Sequence, residues 1–152
     1  MAGPIPPTAY GMWRLSDGTL QTVVAGTVAA TADTSGNQDL PADVKLSDGG
    51  TVTQATSKST TVVLNTHTGQ ITLHAAALAA GVEVTFTVTN STVGAADVVV
   101  LNHGSAGTAG SYLVGISAVA SGSFKATVSN ASGGSLSEAI VLNFAVIGGS
   151  AT

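Results

Sequence analysis

Val82, Val84, Phe86 and Val88 alternate with Glu83, Thr85, Thr87 and Thr89. Side chains on an extended strand point to opposite faces in turn, so this run buries one face and wets the other. Phe124, Ala126 and Val128 repeat the pattern against Lys125, Thr127 and Ser129. Further strands are predicted over residues 51–57, 60–64, 70–73, 97–102, 112–120 and 140–147. Between them stand turn residues: Thr68-Gly69, Gly81, Asn90-Ser91, Gly104-Ser105, Ser121-Gly122 and Ser132-Gly133-Gly134. These separators favour tight reversals. Closely spaced short strands of this kind predict an all-β fold, a β-sandwich or jelly-roll-like domain. Phe86, Phe124, Phe144 and Tyr112 fall to its core.

Three stretches depart from clean alternation. Residues 97–102 carry Val98, Val99, Val100 and Leu101 in a row, and residues 140–147 add Val141, Ala145 and Ile147 to their apolar phase. A strand apolar on both faces is either central in its sheet or covered by a partner. Residues 75–80 are alanine-rich and closed by Gly81, which predicts one helical turn between strands.

The chain of 152 residues divides near Gly49-Gly50. The first part, 1–50, holds all four prolines and five of the eight acids; the second, 51–152, has no proline and reads as the sandwich. Pro4, Pro6 and Pro7 fix backbone angles and remove donors, so the chain opens as an extended N-terminal arm. Tyr10, Met12, Trp13 and Arg14 follow, and these are the candidate contacts to another subunit or a larger assembly. One or two short strands are expected between Thr19 and Thr34. The segment 1–50 is therefore read as an attachment segment.

Charged residues make up only 8% of the chain, against roughly 25% in an average soluble domain. A surface of Ser, Thr, Asn, Ala and Gly repels other protein little, which suits contact more than isolation. Arg14, Lys45, Lys58 and Lys125 are the only basic residues, and they lie far apart in a chain of net charge -4. Nucleic-acid binding needs several phosphate contacts, so none is expected. No cysteine is present, which excludes disulfides and thiolate metal sites. The N-terminus lacks the charged and apolar regions of an export signal, and the apolar runs are too short to span a bilayer. No membrane partner is expected, and the protein is read as soluble when made.

Catalytic patterns were sought and none stands. His67, His74 and His103 have no pairwise metal-ligand spacing, so neither metal nor cofactor is expected. Gly104-Ser105-Ala106-Gly107 lacks the spacing of a nucleophile elbow. Residues 104–110 are glycine-rich without the lysine of a phosphate-binding loop, so they read as a flexible connection. Glu83 and Asp97 have no aromatic sugar platform to make them a glycosidase pair.

The segment 51–147 resembles a small β-sandwich domain that recurs in structural proteins of tailed bacteriophages, in head-decoration and fibre-like components. The likeness is carried by residues 59–65, by Gly69-Gln70-Ile71-Thr72-Leu73, by Ala77-Leu78-Ala79-Ala80-Gly81, by Phe86-Thr87-Val88-Thr89-Asn90, by Val99-Val100-Leu101-Asn102-His103, and most specifically by Gly122-Ser123-Phe124 with residues 132–144. It covers about two thirds of the chain and leaves the first 50 residues unmatched. It implies a virion structural protein with no enzyme activity. The reading that follows is a capsid decoration, or cement, protein. It would be a homotrimer made in the host cytoplasm that binds the major capsid protein or another virion protein and stabilises the head. The rivals are a tail fibre, spike or collar component that binds a receptor or glycan, and a carbohydrate-binding module outside any virion. The sole tryptophan, Trp13, lies in the arm rather than on the domain, which disfavours the last.

Overall fold

The computed structural model describes residues 48–150 throughout. Of the preceding segment it describes the backbone of residues 11–14, 20–24, 27–32 and 38–39. The chain divides between Lys45 and Leu46 into two compact units.

The first unit holds β1 (Gly11–Arg14), β2 (Leu20–Val24), β3 (Thr27–Ala32) and β4 (Gln38–Asp39). They pair antiparallel in sequence order, β1-β2-β3-β4, as a meander. Met12, Trp13 and Arg14 thus belong to an edge strand, paired with Thr22, Gln21 and Leu20. Tyr10 and the three early prolines lie outside the described residues.

The second unit is an all-β sandwich of eight strands. β5 (Gly49–Thr53), β7 (Thr68–Thr72), β9 (Val98–Ser105) and β12 (Val141–Ile147) form one sheet in the order β5-β7-β12-β9. β6 (Val62–Val63), β8 (Glu83–Thr89), β10 (Tyr112–Ala120) and β11 (Ser123–Asn130) form the other, in the order β10-β11-β8-β6. From β5 to β10 the chain changes sheet at every connection. Two crossings return it to the same sheet in the same direction, so β5 pairs parallel with β7 and β6 parallel with β8. β11 then inserts antiparallel between β8 and β10, and β12 antiparallel between β7 and β9. The two sheets therefore share one pattern of strand directions.

The inward phases of both sheets make one core. Phe86, Val88, Phe124, Ala126 and Val128 meet Ile71, Val99, Leu142, Phe144 and Val146. Phe124 and Phe144 touch across the sandwich with ring centroids 5.3 Å apart, tilted by 57°. All three phenylalanines are buried, as the alternation predicts. Gly69 is required beneath Phe144. A Cβ there would lie 2.7 Å from the ring and 2.6 Å from Leu64.

Residues 75–80 contain no helix, contrary to expectation. Leu78 is buried and bridges Leu136, with reciprocal backbone bonds of 2.8 and 3.0 Å. Burying that leucine commits its backbone groups across the sandwich, and this outweighs local alanine propensity. β12 is central in its sheet. β9 is an edge strand, and with Val99 in the core its second apolar phase, Val98 and Val100, faces outward.

Candidate interaction surface

The outward face of the β5-β7-β12-β9 sheet is the most unusual surface of the sandwich. β9 turns Val98, Val100 and Asn102 outward, and β12 turns Val141, Asn143, Ala145 and Ile147 outward. β7 contributes Thr68, Gln70 and Thr72, and β5 contributes Thr51 and Thr53. None of these side chains is charged. Val98 is 58%, Val100 47% and Ile147 52% exposed, and register places Val98 beside Ile147 and Val100 beside Ala145. Register also aligns Gln70, Asn143 and Asn102 in a row across three strands. The Asn143 side chain lies over Gly104, where a Cβ would come within 2.5 Å of it, and its Oδ1 is buried without a partner. A shallow groove beside this row is lined by Gly49, Thr51, Thr68, Gln70 and Asn143.

The opposite sheet presents a different exterior. Glu83 and Lys125 are exposed on it. Between them Thr85 and Thr127 share a hydrogen bond of 2.7 Å, and Thr127 donates to Ser117 at 3.0 Å. Its hydroxyls bond one another, and beside them Leu113 on β10 and Val63 on β6 are exposed by 63% and 59%.

Acids near the uncharged face stand at its rim and are occupied. β5, β7 and β9 run parallel, so the residues before them, Asp48, His67 and Asp97, gather at one end. The His67 ring Nδ1 donates to Asp48 Oδ2 at 2.5 Å, and the His67 amide donates to the same oxygen at 3.1 Å. These bonds hold Asp48 below its ordinary carboxylate range, the ring bond most strongly. Asp97 accepts from the amides of Gly94 at 2.7 Å and Gly149 at 2.9 Å, which lowers its pKa too.

A second polar cluster lies under residues 104–110. Glu138 accepts from the Thr108 amide at 3.0 Å and its hydroxyl at 2.8 Å, which lowers the Glu138 carboxyl. His103 Nε2 donates to Ala106 O at 2.7 Å, and its ring meets Tyr112 edge-on at 5.9 Å. The segment read as a flexible connection is thus tied down at several points. Lys58 is buried with Nζ donating to the carbonyls of His74 and Glu138, both at 2.6 Å, and burial lowers its pKa. The Tyr112 hydroxyl is buried beside the Glu138 carboxylate, and burial first, that carboxylate second, push its pKa up. Lys58 bonds to carbonyls alone. Among the described residues no group of three His, Asp or Glu side chains could hold a metal ion.

The sequence reading takes Asn90 only as a turn residue and does not single out Asn130. Both are fully buried. Asn90 Oδ1 accepts from the Thr92 amide and hydroxyl, and Asn130 Oδ1 from the Ser132 amide and hydroxyl. The pattern Asn-x-Ser/Thr after a strand is the available signal; it also matches a glycosylation acceptor, but each amide here is consumed by turn closure. Of the candidate contacts, Met12, Trp13 and Arg14 share β1, and Tyr10 lies outside the described residues. Comparison with protein-family models, with curated proteins and with solved structures finds no match to this chain.

Proposed function

We propose that the chain is a structural protein of a tailed-bacteriophage virion. In this reading it is a capsid decoration protein that binds the capsid surface and stabilises the head. It acts without a cofactor, catalyses no reaction, and works as a homotrimer whose partner is the major capsid protein. The observation that carries the reading is the division of labour along the chain. The only tryptophan stands on edge strand β1, in a unit separate from the sandwich. Large aromatic side chains dominate protein interfaces, and an edge strand has free backbone groups to pair with a neighbour. The resemblance of 51–147 to phage structural domains supports the same reading.

The test is co-sedimentation of the purified chain with heads that lack it. The expected outcome is saturable binding that Trp13→Ala weakens about tenfold or more, with an unchanged melting temperature for the sandwich. Failure of the unaltered chain to bind any head preparation would refute the proposal.

A further inference from the structure

We propose that His74 is a pH-sensitive latch, whose neutral ring holds the connection 75–77 to the sandwich and whose protonated ring releases it. The latch is a property of the sandwich alone and is independent of the virion reading. Nδ1 of His74 accepts from the Ala76 amide at 3.0 Å. A backbone amide can only donate, so this nitrogen carries its lone pair and the ring proton sits on Nε2. A second ring proton makes both nitrogens donors and sets the Nδ1 proton against the Ala76 N–H. The bond is then lost.

The other two histidines are built the opposite way. The bonded ring nitrogen of His67 faces the Asp48 carboxylate and that of His103 the Ala106 carbonyl, so both donate, and a second ring proton leaves those bonds in place. The stretch after His74 depends on its one bond. Among the described residues, Ala75, Ala76 and Ala77 make no hydrogen bond except that of the Ala76 amide to the ring. Alanine has no polar side chain to replace it, and Ala75 and Ala77 are exposed. Both ends of the stretch are anchored. The His74 amide donates to Gln54 Oε1 at 3.1 Å, and its carbonyl accepts from Lys58 Nζ at 2.6 Å. Leu78 is buried and bonded to Leu136. Release is therefore confined to the alanines between them. Lys58 and Glu138 are the charged groups on the segments bonded to His74. The Lys58 ammonium adds a like charge beside a protonated ring, and the Glu138 carboxylate is engaged by Thr108, so no carboxylate bond holds the charged ring in place.

Amide hydrogen exchange of the full chain, resolved by NMR and scaled to the intrinsic rate at each pH, tests the latch. Solutions at about pH 7.5 and about pH 5 lie on either side of the range in which imidazoles ordinarily take up a proton. Protection of the Ala76 amide should fall about five- to tenfold from the higher pH to the lower, the effect of losing one hydrogen bond. The Leu78 amide should stay protected at both. His74→Asn keeps an acceptor oxygen in the place of Nδ1 and cannot take up the proton, so its Ala76 amide should be equally protected at both. His74→Ala should leave that amide unprotected at both. Ring nitrogen shifts of the unaltered chain should show the Nε2–H tautomer at the higher pH. Equal protection at the two pH values in the unaltered chain overturns the latch. So does the Nδ1–H tautomer at the higher pH, or a fall of the same size in His74→Asn. No virion enters these measurements, so their failure leaves the decoration reading standing, and failure to bind heads leaves the latch standing.

Discussion

Asn90 directly follows β8 and Asn130 ends β11, and the antiparallel pairing of those strands places them at opposite ends of one ladder. The Asn90 amide donates to Gly122 O at 2.9 Å and the Asn130 amide to Val82 O at 3.0 Å, so both also close the ladder by backbone. Asn130 Nδ2 adds bonds to Leu78 O and Gly134 O, both at 2.8 Å. Replacing Asn130 by Ala orphans those buried groups and should cost about 2–4 kcal/mol, a few times the net worth of one hydrogen bond. Tyr112→Phe should behave in the opposite way. Its buried hydroxyl makes no well-formed hydrogen bond and has only the Glu138 carboxylate near it, so its loss trades that contact against a desolvation cost and should leave stability within about 1 kcal/mol of the parent. Denaturant titration of both variants checks the contrast. A Tyr112→Phe variant as unstable as Asn130→Ala would mean the hydroxyl is bonded after all.

Among the strands, β8 and β11 were legible because their outward phases are Thr, Ser, Glu and Lys, so alternation and burial coincide. The apolar double phase of β9 was legible as a pattern but not as a place. Val98 and Val100 would serve equally in a core or on an outer face, and only the two-layer packing, in which Val99 and not its neighbours joins the core, decides between them. The parallel pairings of β5 with β7 and β6 with β8 left no mark in the sequence, because they follow from crossings between sheets rather than from local turns. β6 shrank from the expected 60–64 to two residues. The need for glycine at position 69 belongs to this scale as well, since Phe144 arrives from a different strand. Gly69→Ala should cost about 1–3 kcal/mol by overpacking. Gly115→Ala, on β10 with open space at its Cβ, should cost nothing. Thermal melts of the pair read the difference, and equal melting temperatures would show that the Phe144 ring can move aside.

At the scale of the whole molecule, Asp48, Asp97 and Glu138 set the acid limit of the sandwich. Each carboxyl is held lower in the folded chain than unfolded, by His67 for Asp48 and by amide or hydroxyl donors for the other two. The stability they contribute is present above the ordinary carboxylate range and is lost as pH falls toward the folded values. Apart from the small step that the His74 latch adds, the melting temperature should be level from about pH 7 to 5 and decline below about pH 4. Lys58, lowered by burial, has its linkage on the alkaline side, below its ordinary 10.5, and adds nothing to the acid decline. A melting temperature that holds level to about pH 2 would show that these three carboxylates carry no weight.

In the proposed reading the segment that carries Trp13 is what meets the shell. Electron microscopy of virions proposed to carry the chain tests this most directly. The expected result is sandwich-shaped density on the outer surface of the head, with the segment carrying Trp13 against the capsid. Density for the chain in the tail, or particles without the chain, would contradict it.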